Sequence, residues 1–283
     1  MKIFSTIQQF SNFREKIISK KISLVPTMGN LHDGHISLIN LAKKTTDLVI
    51  VSLFVNPIQF SSFDDYSTYP KTYKKDISIL NKNGVDILLC PDRSEIFPYD
   101  FNTSVIAKDF TEVLEGKCRT GHMEGVATIV TKLLNIVKPD IAIFGEKDFQ
   151  QLMLIKSICK DLNISIDIIS SKIIRDTDGL ALSSRNNLLS RDEKKQANEI
   201  FKSLKLGYEK ALSGENNVSN IINLVKSKLS KYNLIKVEYI SIRNPNNFQE
   251  LKIIDDDFII LIAAYVDSIR LIDNIKYIQK EKC

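Results

Sequence analysis

Along the first 175 positions, apolar residues gather into short unbroken runs separated by longer stretches of helical period. Residues 22–26 (ISLVP), 48–55 (LVIVSLFV), 86–90 (DILLC) and 140–144 (DIAIF) are continuous or nearly continuous apolar blocks. Parallel strands covered on both faces read this way. Between them the pattern predicts helices over 34–45, 70–82 and 123–138. In the last, Val126, Ile129, Val130, Leu133, Leu134 and Val137 recur at i, i+3, i+4, i+7, i+8 and i+11, one stripe along a helical face. Strands alternating with helices predict an α/β fold with a doubly wound, Rossmann-like parallel sheet.

The pattern changes near Arg175. Ser190 followed three residues later by Glu193 is a capping-box signature, and it opens a charged helix running to about residue 212. A second helix is expected over 217–231. Runs at 235–242, 258–266 and 268–272, joined by short turns, read as antiparallel strands. The expected organisation is therefore an α/β domain over 1–174 and a smaller α+β domain over 175–283.

Composition narrows the function classes. The 39 basic and 34 acidic side chains leave a net charge of +5, a mild excess that suits an anionic small substrate and is a weak nucleic-acid footprint. Cys90, Cys118, Cys159 and Cys283 stand far apart with no CxxC pair, which argues against a zinc site or disulfide framework and for a reducing cytoplasm. The N-terminus lacks an apolar core of signal-peptide length. The longest apolar runs, such as 259–266, fall short of the roughly 20 residues a membrane span needs. No nucleic-acid and no membrane partner is expected.

The strongest chemical signal is Pro26-Thr27-Met28-Gly29-Asn30-Leu31-His32-Asp33-Gly34-His35, directly after the first long strand and running into a helix. Two imidazoles three residues apart at a helix start can face one ligand, where unpaired backbone N–H groups and the helix dipole favour phosphate. The bland alternative is a pair of turn or capping histidines. A second cluster, Asn56-Pro57-Ile58-Gln59, lies at the carboxyl end of the next strand, where ligands of open α/β sheets bind. The polar stretch that follows, 61–70, reads as a flap or a surface loop. Gly145-Glu146-Lys147-Asp148-Phe149-Gln150-Gln151 offers a lysine for phosphate and an amide for a hydroxyl or carboxylate. Leu182-Ser183-Ser184-Arg185 supplies two hydroxyls and a guanidinium, a phosphate-binding set or a helix-capping stretch. Arg119-Thr120-Gly121-His122 precedes the amphipathic helix. A Walker A loop and a GxGxxG fingerprint are both absent.

Together, PTMGNLHDGH, VSLFVNPIQF, GHMEGVATIVTKLL, FGEKDFQQ and LSSRN, in this order and spacing, resemble the pantothenate synthetase (pantoate–β-alanine ligase) family. The HxGH element is similar to that of class I aminoacyl-tRNA synthetases and other nucleotidyltransferases. Asn30 and Asp33 stand where Ala and Glu are expected, and Thr120 and Met123 where Pro and Phe are common.

The resemblance implies ATP-dependent condensation of (R)-pantoate with β-alanine through a pantoyl adenylate, with release of AMP and pyrophosphate. It implies catalytic roles for His35, His32, Lys147 and Arg185. For ATP it implies Met28, Gly29, Asn30, Leu31, His32, Asp33, Gly34, His35, Gly145, Glu146, Lys147, Asp148, Ile174, Leu182, Ser183, Ser184 and Arg185. Gln59, Gln151, Asn56, His122 and Arg119 fall to pantoate, and Gln59 also to β-alanine. Mg²⁺ would bridge pyrophosphate oxygens, its protein ligands being unknown. The resemblance also implies a homodimer; the smaller domain over 175–283 is expected to close over the site, and a closing flap is expected because the adenylate hydrolyses if water enters. Two rival readings remain open at this point: another nucleotidyltransferase of the HxGH group, and a nucleotide-binding module without catalysis.

Overall fold

The structure is a computed structural model that describes residues 1–279; Cys283 and the last positions of the 175–283 stretch lie outside the described residues. The chain divides into two compact units. One comprises Met1–Glu146 with Gln150–Lys172, the other Lys147–Phe149 with the chain from Ile173 onward.

In the first unit, six parallel strands form one sheet: β1 (Lys2–Phe4), β2 (Ile22–Thr27), β3 (Leu48–Leu53), β4 (Ile87–Leu89), β5 (Ile141–Gly145) and β6 (Asp167–Ser171), in the order β1-β4-β3-β2-β5-β6. The doubly wound α/β expectation holds. The direction of winding reverses between β2 and β5, and in such sheets the crevice at the carboxyl ends of the strands flanking that point receives ligands. The expected strand cores are present because Ile22, Leu24, Val25, Ile50, Val51, Leu88 and Ile143 are fully buried.

The helix Asp33–Thr45 follows β2, and His122–Val137 precedes β5. All six residues of the predicted apolar stripe of the latter are buried. It stops at Lys138, whose left-handed φ of 48° closes the last turn onto Leu134 O ahead of Pro139. The two edge strands were not anticipated. β1 has three residues, and β6 is only half-buried, so neither carries a continuous apolar run.

The second unit packs helices Arg191–Leu212 and Val218–Leu229 onto an antiparallel sheet of β7 (Ile235–Arg243), β8 (Phe258–Val266) and β9 (Ile269–Tyr277), in the order β7-β8-β9. The Ser190/Glu193 capping box forms in both directions: Glu193 N–H donates to Ser190 Oγ, and Ser190 N–H donates to a Glu193 carboxylate oxygen at 2.6 Å. Strand β9 extends beyond the expected 268–272 because the polar pair Asp273-Asn274, which reads as a turn, is buried within it. No helix among the described residues is long and apolar enough to cross a membrane.

Candidate active site

In the first unit, the chain leaves β2 through two successive left-handed residues, Gly29 (φ 84°) and Asn30 (φ 50°). A side chain at 29 would be strained there, and its Cβ would lie 3.0 Å from Asp76 Oδ2. The Asp76 carboxylate accepts from the N–H groups of Asn30 at 3.1 Å and Leu31 at 2.9 Å. The helix then begins with a cap made by the two histidines. His32 Nδ1 accepts from Gly34 N–H at 3.1 Å, and His35 Nδ1 accepts from His32 N–H at 3.3 Å, with ring centroids 4.2 Å apart.

This corrects the expectation of unpaired N–H groups at this helix start. Across residues 30–34, only the Asp33 N–H is without a partner among the described residues. The reason is that side chains of the protein itself satisfy them. What the segment offers instead is imidazole chemistry. With Nδ1 accepting in both rings, each neutral ring carries its proton on Nε2 as a donor.

The residues expected from separate segments around β3 and the His122–Val137 helix converge into one hydrogen-bonded chain. Asn56 is fully buried; its Nδ2 donates to Gln59 Oε1 at 2.9 Å and to Gly125 O at 3.1 Å. The Asn56 Oδ1 is buried and has no hydrogen-bond partner among the described residues. His122 Nδ1 donates to Gln59 O at 2.7 Å, which leaves its Nε2 to accept from Arg119 Nη1 at 3.0 Å. Arg119 in turn lies 3.7 Å from Glu115.

Gly125 makes this approach feasible, since a Cβ there would fall 2.4 Å from Ile58 O and 2.7 Å from Gln59 Cα. Gln150, next to the expected Gln151, has a different task. Its amide holds Phe110 O, Val113 O and Glu115 N–H. The stretch after Gln59 forms a short helix, Phe63–Thr68, capped by Ser62, and Phe60 meets the rings of Tyr66 and Tyr69 at 5.5 Å. At the end of β5, Glu146 accepts from Ser170 Oγ at 3.0 Å.

In the second unit, Lys147 Nζ lies 3.9 Å from Asp148, and the Lys147 carbonyl accepts from Asn274 Nδ2 at 3.1 Å. Asn274 is anchored by a buried ion pair. Arg175 donates to both oxygens of Asp273 at 2.6 and 2.9 Å, to Asn274 O at 3.0 Å, and lies 3.6 Å over the Phe201 ring. Burial pushes the Asp273 carboxyl up, and the Arg175 hydrogen bonds and charge oppose that push. Ile174 O accepts from Leu182 N–H, and Ser183 Oγ accepts from Arg185 N–H at the start of the short turn Ser184–Leu188. Ser183 thus caps this short turn, whereas the charged helix that follows is capped by Ser190.

Asp76, Thr72, Gly125 and Asn274 escaped the sequence reading. Asp76, Gly125 and Asn274 take part in hydrogen bonds that span tens of residues, and Thr72 gains its meaning only through Asp76, four residues on. Among the described residues no group of three or more His, Cys, Asp or Glu side chains could hold a metal.

The family model described as pantoate-beta-alanine ligase matches residues 2–276. The chain belongs to this family. It is accordingly a ligase. A pantothenate synthetase from Caldicellulosiruptor bescii is 43% identical over 277 residues, covering 97% of this chain and 98% of that protein. One from a Thermoanaerobacter species is 45% identical over 261 residues, covering 92% of each.

The crystal structure of pantothenate synthetase from Thermus thermophilus matches with a TM-score of 0.92 at 34% identity, over 97% of this chain and 99% of that one. That of pantoate-beta-alanine ligase from Francisella tularensis, complexed with beta-gamma ATP and beta-alanine, matches with a TM-score of 0.80 at 40% identity over 97% of both chains. The six-stranded sheet and the three-stranded second sheet are thus those of the pantoate–β-alanine ligase family.

Proposed function

We propose that the chain joins (R)-pantoate to β-alanine by way of a pantoyl adenylate. A pantoate carboxylate oxygen attacks the α-phosphorus of ATP and pyrophosphate leaves; the β-alanine amine then attacks the acyl carbon, and AMP leaves with that oxygen. The observation that carries this reading is the reciprocal histidine cap after β2, which puts the proton of each neutral imidazole on Nε2. A donor fixed before the reaction begins stabilises charge building on phosphate at no reorganisation cost.

In this reading His35 and His32 serve the α-phosphate, and residues 28–35 line the nucleotide with Gly145, Glu146, Asp148, Ile174 and Leu182. Lys147, Ser183, Ser184 and Arg185 bind phosphate oxygens. Mg²⁺ usually keeps few protein ligands and is carried by substrate phosphates, which fits a chain without a convergent acidic cluster among its described residues. It would neutralise charge on the departing pyrophosphate. The segment 1–174 supplies the pantoate groups, and 175–283 contributes residues 183–185. The reading extends to a cytoplasmic homodimer, as the family resemblance implies.

Gln59, Gln151, Asn56, Arg119 and His122 would recognise pantoate, with Gln59 also touching β-alanine. The Asn56 bond occupies Gln59 Oε1, so Nε2 is the donor end of that amide. Changing Gln59 or Gln151 to alanine should raise KM for pantoate about ten- to a hundredfold, the effect of leaving a buried hydroxyl unpaired. KM for ATP should stay near its original value. Steady-state kinetics with each substrate varied checks this, and a defect confined to ATP would refute the placement.

The chemistry itself is tested with oxygen-18 in the pantoate carboxylate. The label should reach AMP once β-alanine is added. Label in inorganic phosphate, with ADP as the other product, would mean an acyl phosphate and would overturn the adenylate.

A further inference from the structure

Asp76 is an unusual charge. It stands in the first turn of the helix Tyr73–Lys82 and is 1% exposed. Its carboxylate accepts three hydrogen bonds, all from neutral donors: Asn30 N–H and Thr72 Oγ on Oδ2, Leu31 N–H on Oδ1. No lysine, arginine or histidine among the described residues pairs with it. A buried carboxylate without a cation is expensive unless hydrogen bonds satisfy it, and this one is held by two backbone N–H groups and a hydroxyl.

The two N–H groups it captures come from successive residues beside a left-handed bend, a concavity of the kind that binds anions. Here the protein's own carboxylate fills it. The segment so held is the one that leads, one residue later, into the His32/His35 cap.

We propose that Asp76 is a positioning residue for nucleotide binding: it fixes Gly29, Asn30 and Leu31 in the conformation from which His32 and His35 address the phosphates. The inference rests on the reading of residues 28–35 as the ATP segment. Without the carboxylate, two adjacent N–H groups lose their acceptor, the left-handed bend relaxes, and ATP must reorder the loop as it binds. That ordering reduces affinity. Thr72 supports the carboxylate through its hydroxyl, so its loss should give a smaller version of the same defect.

The test uses the full chain and the variants Asp76→Asn and Thr72→Val, with ATP binding followed by calorimetry and kinetics followed by pyrophosphate release. Asn keeps the volume but sets an NH₂ group against an N–H donor. Asp76→Asn should bind ATP about tenfold more weakly and Thr72→Val about threefold, while KM for pantoate changes by less than about twofold in both. A merely structural role would lower the amount of active enzyme and leave ATP affinity where it was.

Wild-type affinity for ATP in a folded Asp76→Asn protein overturns the proposal. If that variant does not fold, Thr72→Val decides, and unchanged ATP affinity there overturns it equally. Wild-type protein that binds no ATP would refute the ligase reading itself, an outcome distinct from variants that bind as wild type does.

Discussion

Alanine in place of His35 is expected to slow pyrophosphate release by about a hundredfold or more, the usual effect of removing a transition-state donor. The ring has two tasks in the structure. Its Nδ1 accepts the His32 N–H, and that same bond puts its proton on Nε2. Alanine removes both, so it also weakens the start of the helix Asp33–Thr45, by about 1 kcal/mol. His35→Asn separates them. The amide oxygen of asparagine sits where Nδ1 was and can accept the His32 N–H, and no atom stands at Nε2. Melting temperature should recover in His35→Asn and the rate should not. Recovery of pyrophosphate release with the cap would show that the imidazole serves only the backbone.

Replacing Asp273 with alanine should destabilise the second unit by about 3–5 kcal/mol, as expected when one partner of a buried ion pair is removed and the other stays. Arg175 would keep its place over Phe201 and its bonds to Gly179 O and Asn274 O, and its charge would face no carboxylate. Urea unfolding followed by tyrosine fluorescence is suited to this measurement. The chain has no tryptophan, and Tyr208, Tyr232, Tyr239, Tyr265 and Tyr277 all lie in the second unit. Asp273→Asn retains an acceptor for one guanidinium nitrogen and should cost less. A loss below about 1 kcal/mol in Asp273→Ala would place the pair with weak surface bridges. The same variant frees the Asn274 N–H from the carboxylate oxygen at 2.7 Å, so the grip of Asn274 on the Lys147 carbonyl should loosen too.

The sheet was legible because parallel strands covered on both faces leave continuous apolar runs, as in residues 48–53 and 141–144. The stripe of the His122–Val137 helix and the Ser190/Glu193 cap were legible for the same reason, being local patterns of fixed spacing. Where burial is partial, as along β6, or where polar residues are buried by distant partners, as at Asp273 and Asn274, local pattern is silent. The candidate site divides the same way. His32, His35, Asn56 and Gln59 are announced by chemistry near strand ends, and the histidine cap was present only as the bland alternative. Asp76 reads as one more charge in Lys74-Lys75-Asp76; its task appears only when residue 76 meets residues 30 and 31. Nor does sequence distinguish Gln150, which braces backbone carbonyls, from Gln151 beside it.

The bare backbone at Gly125 has a consequence for anyone seeking a more robust form of this enzyme. Exchanging glycine for alanine inside a helix is a routine stabilising change, worth about 1 kcal/mol. At this position the added methyl group would press on the Ile58 carbonyl and lever the turn carrying Asn56 and Gln59 away from the helix, so the usual gain should turn into a loss. A survey that scores helical glycines by propensity alone would choose this site and disturb the candidate site at Asn56 and Gln59 through a residue with no side chain.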